Sequence, residues 1–113
     1  MRFRYLPEAH RDVLDAAGWY ETKYTGLGEK FEDAVEAAVQ DIVRRPLMRA
    51  LWPGKPGKRG IRRYLMRKTK RQRRHGDPDW PYKIAYEVKD DVVVIIAVPH
   101  EKQRPFYWLK RTR

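Results

Sequence analysis

This chain of 113 residues lacks cysteine, which excludes disulfide bonds and thiolate metal sites. Histidine is scarce, and His10, His75 and His100 are too far apart in sequence to form a close pair of zinc ligands. The pattern therefore predicts no metal site and no other cofactor.

Long apolar runs are also missing. The longest, residues 92–98, is far shorter than the roughly 20 residues of a membrane-spanning helix. The opening Met-Arg-Phe-Arg does not lead into the apolar core of a signal peptide. We expect a cytoplasmic protein with no membrane partner, in which residues 1–113 form a single domain.

Acidic residues are absent from residues 42–76, a segment that has fourteen lysines and arginines. Residues 1–41 have nine acidic and five basic residues, whereas residues 99–113 have five basic residues and one acidic residue. The net charge of +11 is therefore concentrated in a central block and a C-terminal tail. A basic block of this kind attracts phosphate groups or acidic protein surfaces. It predicts a surface that binds a polyanionic target.

Two amphipathic helices are predicted in the first half of the chain. After a short alternating strand at residues 1–6, apolar residues recur three or four positions apart over residues 9–24 and again over residues 27–42. Gly26 and Gly28 lie between the two helices, where both are available for left-handed backbone conformations. Pro46 ends the second helix. The pattern indicates a helical hairpin.

Three further strands are predicted in the second half. Residues 61–67 alternate, so that Arg62 and Arg63 point to opposite faces, and residues 82–88 alternate likewise. The β-branched residues 92–98 indicate a central strand covered on both faces. Loops are expected at residues 46–60, which are rich in proline and glycine, and at residues 68–80, an exposed basic insertion. The fold class is α+β, with the order β-α-α-β-β-β and the hairpin packed on a mostly antiparallel twisted sheet.

Six short motifs in this order carry a resemblance to a known family. They are Trp19-Tyr20, Gly26-Leu27-Gly28-Glu29-Lys30-Phe31, Arg62-Arg63-Tyr64-Leu65, Pro81-Tyr82-Lys83-Ile84-Ala85-Tyr86, Val94-Ile95-Ile96-Ala97-Val98-Pro99-His100 and Arg104-Pro105-Phe106-Tyr107-Trp108. Together they resemble the RelE/ParE superfamily of type II toxins, and the Gly-Leu-Gly turn and the C-terminal motif are more similar to its ParE branch. The resemblance implies a growth-inhibiting toxin that a cognate antitoxin neutralises.

The superfamily resemblance leaves two mechanisms open. ParE-like members bind DNA gyrase and trap its cleaved-DNA state without chemistry of their own. RelE-like members enter the ribosome and cut mRNA without a metal, so the chain is an enzyme only under this second alternative. A third alternative is a non-toxic basic RNA-binding module. It does not account for the acidic helical hairpin.

Metal-free RNA cleavage needs a general base, a cation for the phosphate and a general acid. His100 follows the predicted central strand and is the histidine best placed for proton transfer. Arg62 or Arg63 could hold the phosphate, and Arg63 is the candidate carried forward, with Arg104 and Tyr107 as possible helpers. A structural role for His100 at the end of a strand is an equally good interpretation.

Two sets of residues are predicted to contact partners. The target-binding set is basic and lies in the central block: Arg62, Arg63, Arg67, Lys68, Arg71, Arg73 and Arg74. The antitoxin-binding set is aromatic and lies on the helical hairpin: Trp19, Tyr20, Tyr24 and Phe31. An acidic, partly disordered antitoxin segment that folds on contact suits this charge. Trp108, at the end of the sheet, is predicted to pack under the helices. The sequence does not predict the oligomeric state.

Overall fold

The computed structural model of the protein describes residues 1–68, 71–74, 76, 78–104 and 106–112. Among these residues, no helix is both long enough and apolar enough to cross a membrane. The elements in chain order are β1 (Arg2–Tyr5), α1 (Pro7–Glu21), α2 (Leu27–Arg44), the one-turn helix α3 (Lys55–Lys58), β2 (Arg62–Leu65), β3 (Lys83–Lys89), β4 (Val92–Ala97) and a 3₁₀ turn (Leu109–Thr112). The predicted α+β class and the predicted order of the strands and the two long helices are confirmed; α3 was not predicted.

The four strands form one sheet in the order β1-β4-β3-β2. β1 is parallel to β4, and the other two pairings are antiparallel. β4 lies inside the sheet and residues 93–97 are buried, so the predicted central strand is confirmed. Asp90 and Asp91 both have positive φ, 53° and 60°, in the two-residue turn between β3 and β4. Two successive left-handed residues match the twist of a tight hairpin.

The two glycines at the start of α2, Gly26 just before it and Gly28 in its first turn, have different roles. Gly26 has a φ of 88° and precedes α2, so it needs the left-handed region. Gly28 has no positive φ; a Cβ atom there would lie 2.5 Å from the carbonyl oxygen of Ala17. The prediction that both glycines serve a left-handed turn is therefore wrong for Gly28, which allows α1 and α2 to pack closely. The carboxylate of Glu21 accepts hydrogen bonds from both N–H groups, at 2.9 and 3.0 Å.

The helical hairpin covers one face of the sheet and forms the larger core. Its aromatic centre is Phe31, whose ring centroid lies 4.8 Å from that of Tyr82 and 5.3 Å from that of Trp80. Tyr20 contacts the same Trp80 at 5.0 Å. Trp80 was predicted within the exposed insertion but is buried, because the aromatic side chains of α1 and α2 enclose it. The described part of the insertion from Lys68 to Asp79 is exposed.

The opposite face of the sheet has a second, smaller core. Trp52 and Trp108 meet there at 5.3 Å, over Ala85, Ile96 and Ala97 of the two central strands. The prediction that Trp108 packs under the helices is wrong, because the chain after β4 crosses to the other side of the sheet. Both faces are therefore covered, one by the two long helices and the other by the mostly irregular segments 46–60, 99–104 and 106–112.

An ion pair joins the two sides of the molecule. Arg111 donates to both carboxylate oxygens of Asp12 on α1, at 2.9 and 3.2 Å, and to the carbonyl of Ile96 at 3.2 Å. Asp12 also accepts the backbone N–H of Val98 at 3.0 Å. Burial acts to lower the pKa of Arg111, but hydrogen bonding and the charge of Asp12 raise it above its usual value. The C-terminal turn is thus held against the end of β4 and the first helix.

Candidate functional site

A small basic and aromatic cavity lies on the sheet face opposite the helices, at the C-terminal end of β4. Its volume is about 90 Å³, and its lining includes Trp52, Lys83, His100, Arg104, Phe106 and Trp108, together with one acidic residue, Glu101. The ammonium of Lys83 lies 5.5 Å from the centre of the Trp52 ring, a cation–π contact. Ligand pockets usually exceed roughly 300 Å³. The cavity is therefore too small to enclose a nucleotide.

Phe106 has an unusual backbone conformation at the rim of this cavity. Its φ is 59°, a value that bulky residues rarely adopt. Its ring packs edge-on against Trp52 at 5.8 Å and against Trp108 at 6.1 Å. The three aromatic rings stabilise a conformation that costs on the order of 1–3 kcal/mol. Backbone strain of this kind often occurs at binding surfaces, and here a side chain that is 38% exposed caps the cavity.

His100 has a structural environment at the edge of the cavity. Its ring Nδ1 accepts a hydrogen bond from the backbone N–H of Lys102 at 3.0 Å. The backbone N–H of His100 donates to the side-chain oxygen of Gln103 at 2.7 Å. The imidazole also packs edge-on against Tyr82 at 5.0 Å, toward the helical side of the sheet. Because Nδ1 is an acceptor, the proton of the neutral ring lies on Nε2. One ring nitrogen is therefore already used to hold the turn at residues 100–103.

The four candidate ribonuclease residues are divided among different environments. His100 and Arg104 line the cavity, whereas Arg63 and Tyr107 are not in its lining. Arg63 lies on β2 opposite Ala85, half-buried. The Tyr107 ring lies 5.2 Å from the guanidinium of Arg111. Burial, followed by the charge of Asp12, raises the pKa of Tyr107, so its phenol is a poor general base near neutral pH.

Arg62 and Arg63 of the predicted target-binding set lie on opposite faces of β2, as the alternation predicts. Arg62, on the helical side, donates to the backbone carbonyl of Arg49 at 2.7 Å. The helix carboxylate of Asp41 accepts the Tyr64 hydroxyl at 2.9 Å. Burial, and then this hydrogen bond, raise the pKa of Tyr64 to about 12.

The other members of the target-binding set are exposed. Arg67 forms ion pairs with Asp79 at 3.2 Å and with Glu101 at 3.4 Å, so its charge is partly neutralised. Lys68 lines a separate cavity beside Tyr64 and Trp80. The remaining three, Arg71, Arg73 and Arg74, are exposed. The set therefore does not form one continuous patch, because Arg62 and Arg63 face different sides and Arg67 has acidic neighbours.

The predicted antitoxin-binding set divides into exposed and core residues. Trp19 is 56% exposed and Tyr24 is 75% exposed at the end of the hairpin, and Lys23 lies over the Trp19 ring at 5.0 Å. Tyr20 is half-buried and packs against Phe31, which has no exposed surface. Phe31 therefore belongs to the core, and Trp19 and Tyr24 are the members that a partner can reach.

Sequence reasoning missed Trp52 and Lys83 as parts of this site. Trp52 precedes a Pro-Gly pair, and a tryptophan in such a segment is a usable signal for an anchored loop. Lys83 lies two positions before Ala85 on β3, so both side chains point to the same face of the sheet, the one opposite the helices. A charged residue on that side indicates a solvent-facing sheet surface. Neither signal alone connects the two residues, which are distant in sequence.

Comparison with protein families identifies a match over most of the chain. The family model described as the ParE toxin of the type II toxin–antitoxin system, parDE, matches residues 3–105. The matched range includes both long helices, β2, β3 and β4, all of β1 except Arg2, and the turn at residues 100–103. A search of curated proteins gives no match.

Proposed function

Since this chain belongs to the ParE toxin family of type II toxin–antitoxin systems, we propose that it inhibits growth by binding DNA gyrase and trapping the cleaved-DNA state. Toxins of type II systems pair with a cognate antitoxin. In this proposal the chain performs no chemistry of its own, and both toxin and antitoxin are cytoplasmic.

The arrangement of the candidate ribonuclease residues is the observation that carries this choice of mechanism. General acid–base cleavage requires a base, an acid and a cation around one phosphate. Here His100 uses Nδ1 to hold a turn, Tyr107 packs against Arg111, and Arg63 is outside the cavity that Arg104 lines. Because the groups do not converge, binding accounts for the site better than cleavage does.

A specific observation keeps ribosome-dependent mRNA cleavage as the second candidate. His100 and Arg104 line one cavity together with Lys83, and Nε2 of His100 takes no part in the hydrogen bond to Lys102. A bound mRNA phosphate at this cavity would meet the cations Lys83 and Arg104, but also the carboxylate of Glu101, which is part of the lining. A non-toxic basic RNA-binding module remains a further alternative, which the family match disfavours.

An acidic antitoxin segment is the proposed neutralising partner. The exposed Trp19 and Tyr24 offer aromatic surface at the end of the hairpin, beside Lys23. An amphipathic segment that carries both apolar and acidic side chains suits such a surface. The double variant Trp19→Ala/Tyr24→Ala is expected to weaken antitoxin binding at least about ten-fold, as for aromatic hot spots. A change below about two-fold in a calorimetric titration would remove these residues from the interface.

The decisive experiment is inducible expression in a bacterium, with DNA synthesis and translation followed separately. The gyrase proposal predicts that DNA synthesis stops first, and that purified gyrase with the toxin and plasmid DNA accumulates double-strand breaks. His100→Ala is the discriminating variant, because only the ribonuclease alternative requires proton transfer by the imidazole. If translation stops first, and if His100→Ala abolishes mRNA cleavage on ribosomes, the gyrase mechanism is wrong and the chain is a ribonuclease.

A further inference from the structure

A second basic recess lies on the surface, separate from the candidate site and from the predicted target-binding set. Its volume is about 500 Å³, and it is lined by Lys55, Lys58, Arg59, Leu109 and Lys110. Four of these five residues are cationic, and no acidic residue is in the described lining. Two basic segments of the sequence, the central block and the C-terminal tail, therefore meet at this point.

Several contacts fix the positions of the two segments that line the recess. Arg59 donates to the backbone carbonyl of Thr112 at 2.8 Å, which joins α3 to the C-terminal turn. Behind α3, Gly57 lies so close to Trp52 that a Cβ atom would be 1.9 Å from the Trp52 carbonyl oxygen. The ion pair between Arg111 and Asp12 fixes the other wall. The backbone that carries the cationic side chains is therefore already positioned by the fold before any ligand binds.

The lysines are arranged to act together. Lys55 and Lys58 are three positions apart on the single turn of α3, so they lie on the same side of it. Lys110 approaches from the C-terminal turn on the other side of the recess. All three are exposed, and none of them forms an ion pair with an acidic residue among the described residues. Concentrated, uncompensated positive charge of this kind attracts polyanions.

We infer that this recess binds the phosphate backbone of a nucleic acid, without reading its sequence. Phosphate contacts by lysine and arginine position a nucleic acid and need no apolar surface. An acidic protein segment would need apolar contacts as well, and Leu109 is the one apolar residue of the described lining. The charge and composition of the recess therefore favour a nucleic acid over a protein partner. The inference does not depend on the gyrase mechanism.

The test compares two triple variants of the full chain by fluorescence anisotropy. Lys55→Gln/Lys58→Gln/Lys110→Gln removes three lysines of the recess but retains Arg59, which has a structural hydrogen bond. The control Arg11→Gln/Lys30→Gln/Lys89→Gln removes three exposed cations from α1, α2 and β3. Each triple variant lowers the net charge of +11 by three, so bulk charge is matched. Circular dichroism melting curves verify that both variants fold.

The probes are a labelled DNA duplex and a labelled single-stranded RNA, each titrated between about 50 and 200 mM salt. Loss of the three lysines is expected to weaken binding about ten-fold or more and to reduce the slope of log K against log salt by about 2–3, since each neutralised phosphate contributes about 0.9 for DNA and about 0.7 for a single strand. The control is expected to change both quantities by less than half as much. A larger effect on the duplex or on the RNA identifies which of them the recess binds.

Two results would overturn the inference. The first is an equal loss of nucleic-acid binding in the two triple variants, which would mean that only total charge matters. The second is unchanged binding of both nucleic acids while binding of polyglutamate is lost, which would assign the recess to an acidic protein. Gyrase trapping is measured in parallel with both variants, so failure of the recess and failure of the gyrase proposal give separate readouts.

Discussion

The two faces of the sheet are covered in different ways. On one face, α1 and α2 form a regular hairpin whose apolar stripes enclose the larger core. On the other face, the mostly irregular segments 46–60, 99–104 and 106–112 meet through Trp52 and Trp108. The first face carries acidic helices, and the second carries the small cavity and the basic recess. Stability is thus shared between a periodic layer and a layer assembled by a few long-range contacts.

The largest expected effect comes from removing the centre of the irregular layer. Trp108 is 1% exposed, so Trp108→Ala leaves a large void and is expected to lower the free energy of unfolding by about 3–5 kcal/mol. Chemical denaturation measures this change, and Leu65→Ala, at a residue 55% exposed on the same side, serves as the control. A loss below about 1 kcal/mol would mean that the irregular layer contributes little to global stability.

The second largest effect on stability is expected from breaking the ion pair that connects the two layers. Asp12→Asn removes the charge that Arg111 needs at a site where both side chains are mostly buried, 16% and 14% exposed. The expected loss is about 2–3 kcal/mol in the free energy of unfolding. A double-mutant cycle with Arg111→Met isolates the coupling, which should exceed about 1 kcal/mol. A coupling near zero would show that the two changes act independently and that the pair does not join the layers.

Replacing a glycine by alanine is expected to change the free energy of unfolding in opposite directions in the two layers. Gly57→Ala places a Cβ atom 1.9 Å from the carbonyl oxygen of Trp52, so it should destabilise by about 1–3 kcal/mol. Gly18 lies inside α1 with no atom within 4 Å of an added Cβ, so Gly18→Ala should stabilise by about 0.5–1 kcal/mol. Thermal melts of the two variants test the comparison. Changes of the same sign would contradict it.

The smallest expected effect is a pH dependence from the hydrogen bond between Tyr64 and Asp41. Folding raises the pKa of Tyr64 from 10.0 to about 12, so the folded state favours the neutral phenol. This contribution to stability is complete below pH 10 and is lost as pH rises toward about 12. Tyr64→Phe should flatten that decline in the free energy of unfolding, whereas Tyr24→Phe, at a residue 75% exposed, should not. Parallel declines in Tyr64→Phe and the unmodified chain would contradict the assignment.

The local elements could be predicted because each has a periodic or turn signal of its own. The stripes of α1 and α2 have the period of a helix, β4 is β-branched almost throughout, and Asp90-Asp91 suits a tight turn. Gly26 was correctly placed between the helices, whereas Gly28 lies in the first turn of α2, and its role required knowledge of how near Ala17 comes. Contacts between residues up to about four positions apart can be predicted from a sequence. Residues three or four positions apart on a helix, or two positions apart on a strand, share a face.

The candidate sites depend on contacts between residues that are distant in sequence, which local sequence patterns do not predict. His100 and Arg104 are close in sequence and do line one cavity, but Arg63 does not join them. Trp80 was assigned to an exposed insertion because its neighbours are charged, yet Phe31 and Tyr20 enclose it. Composition describes the average of a segment, whereas burial is decided residue by residue through packing.

The sequence by itself determined the α+β class, the helical hairpin, the central strand and the separation of charge along the chain, because propensity, periodicity and composition are local properties. Only the tertiary structure decided that Trp108 crosses to the face opposite the helices, that Arg111 binds Asp12, and that Lys110 joins Lys55 and Lys58 around one recess. These contacts join residues separated by roughly half the chain or more, and they form where the folded backbone makes their burial or pairing favourable.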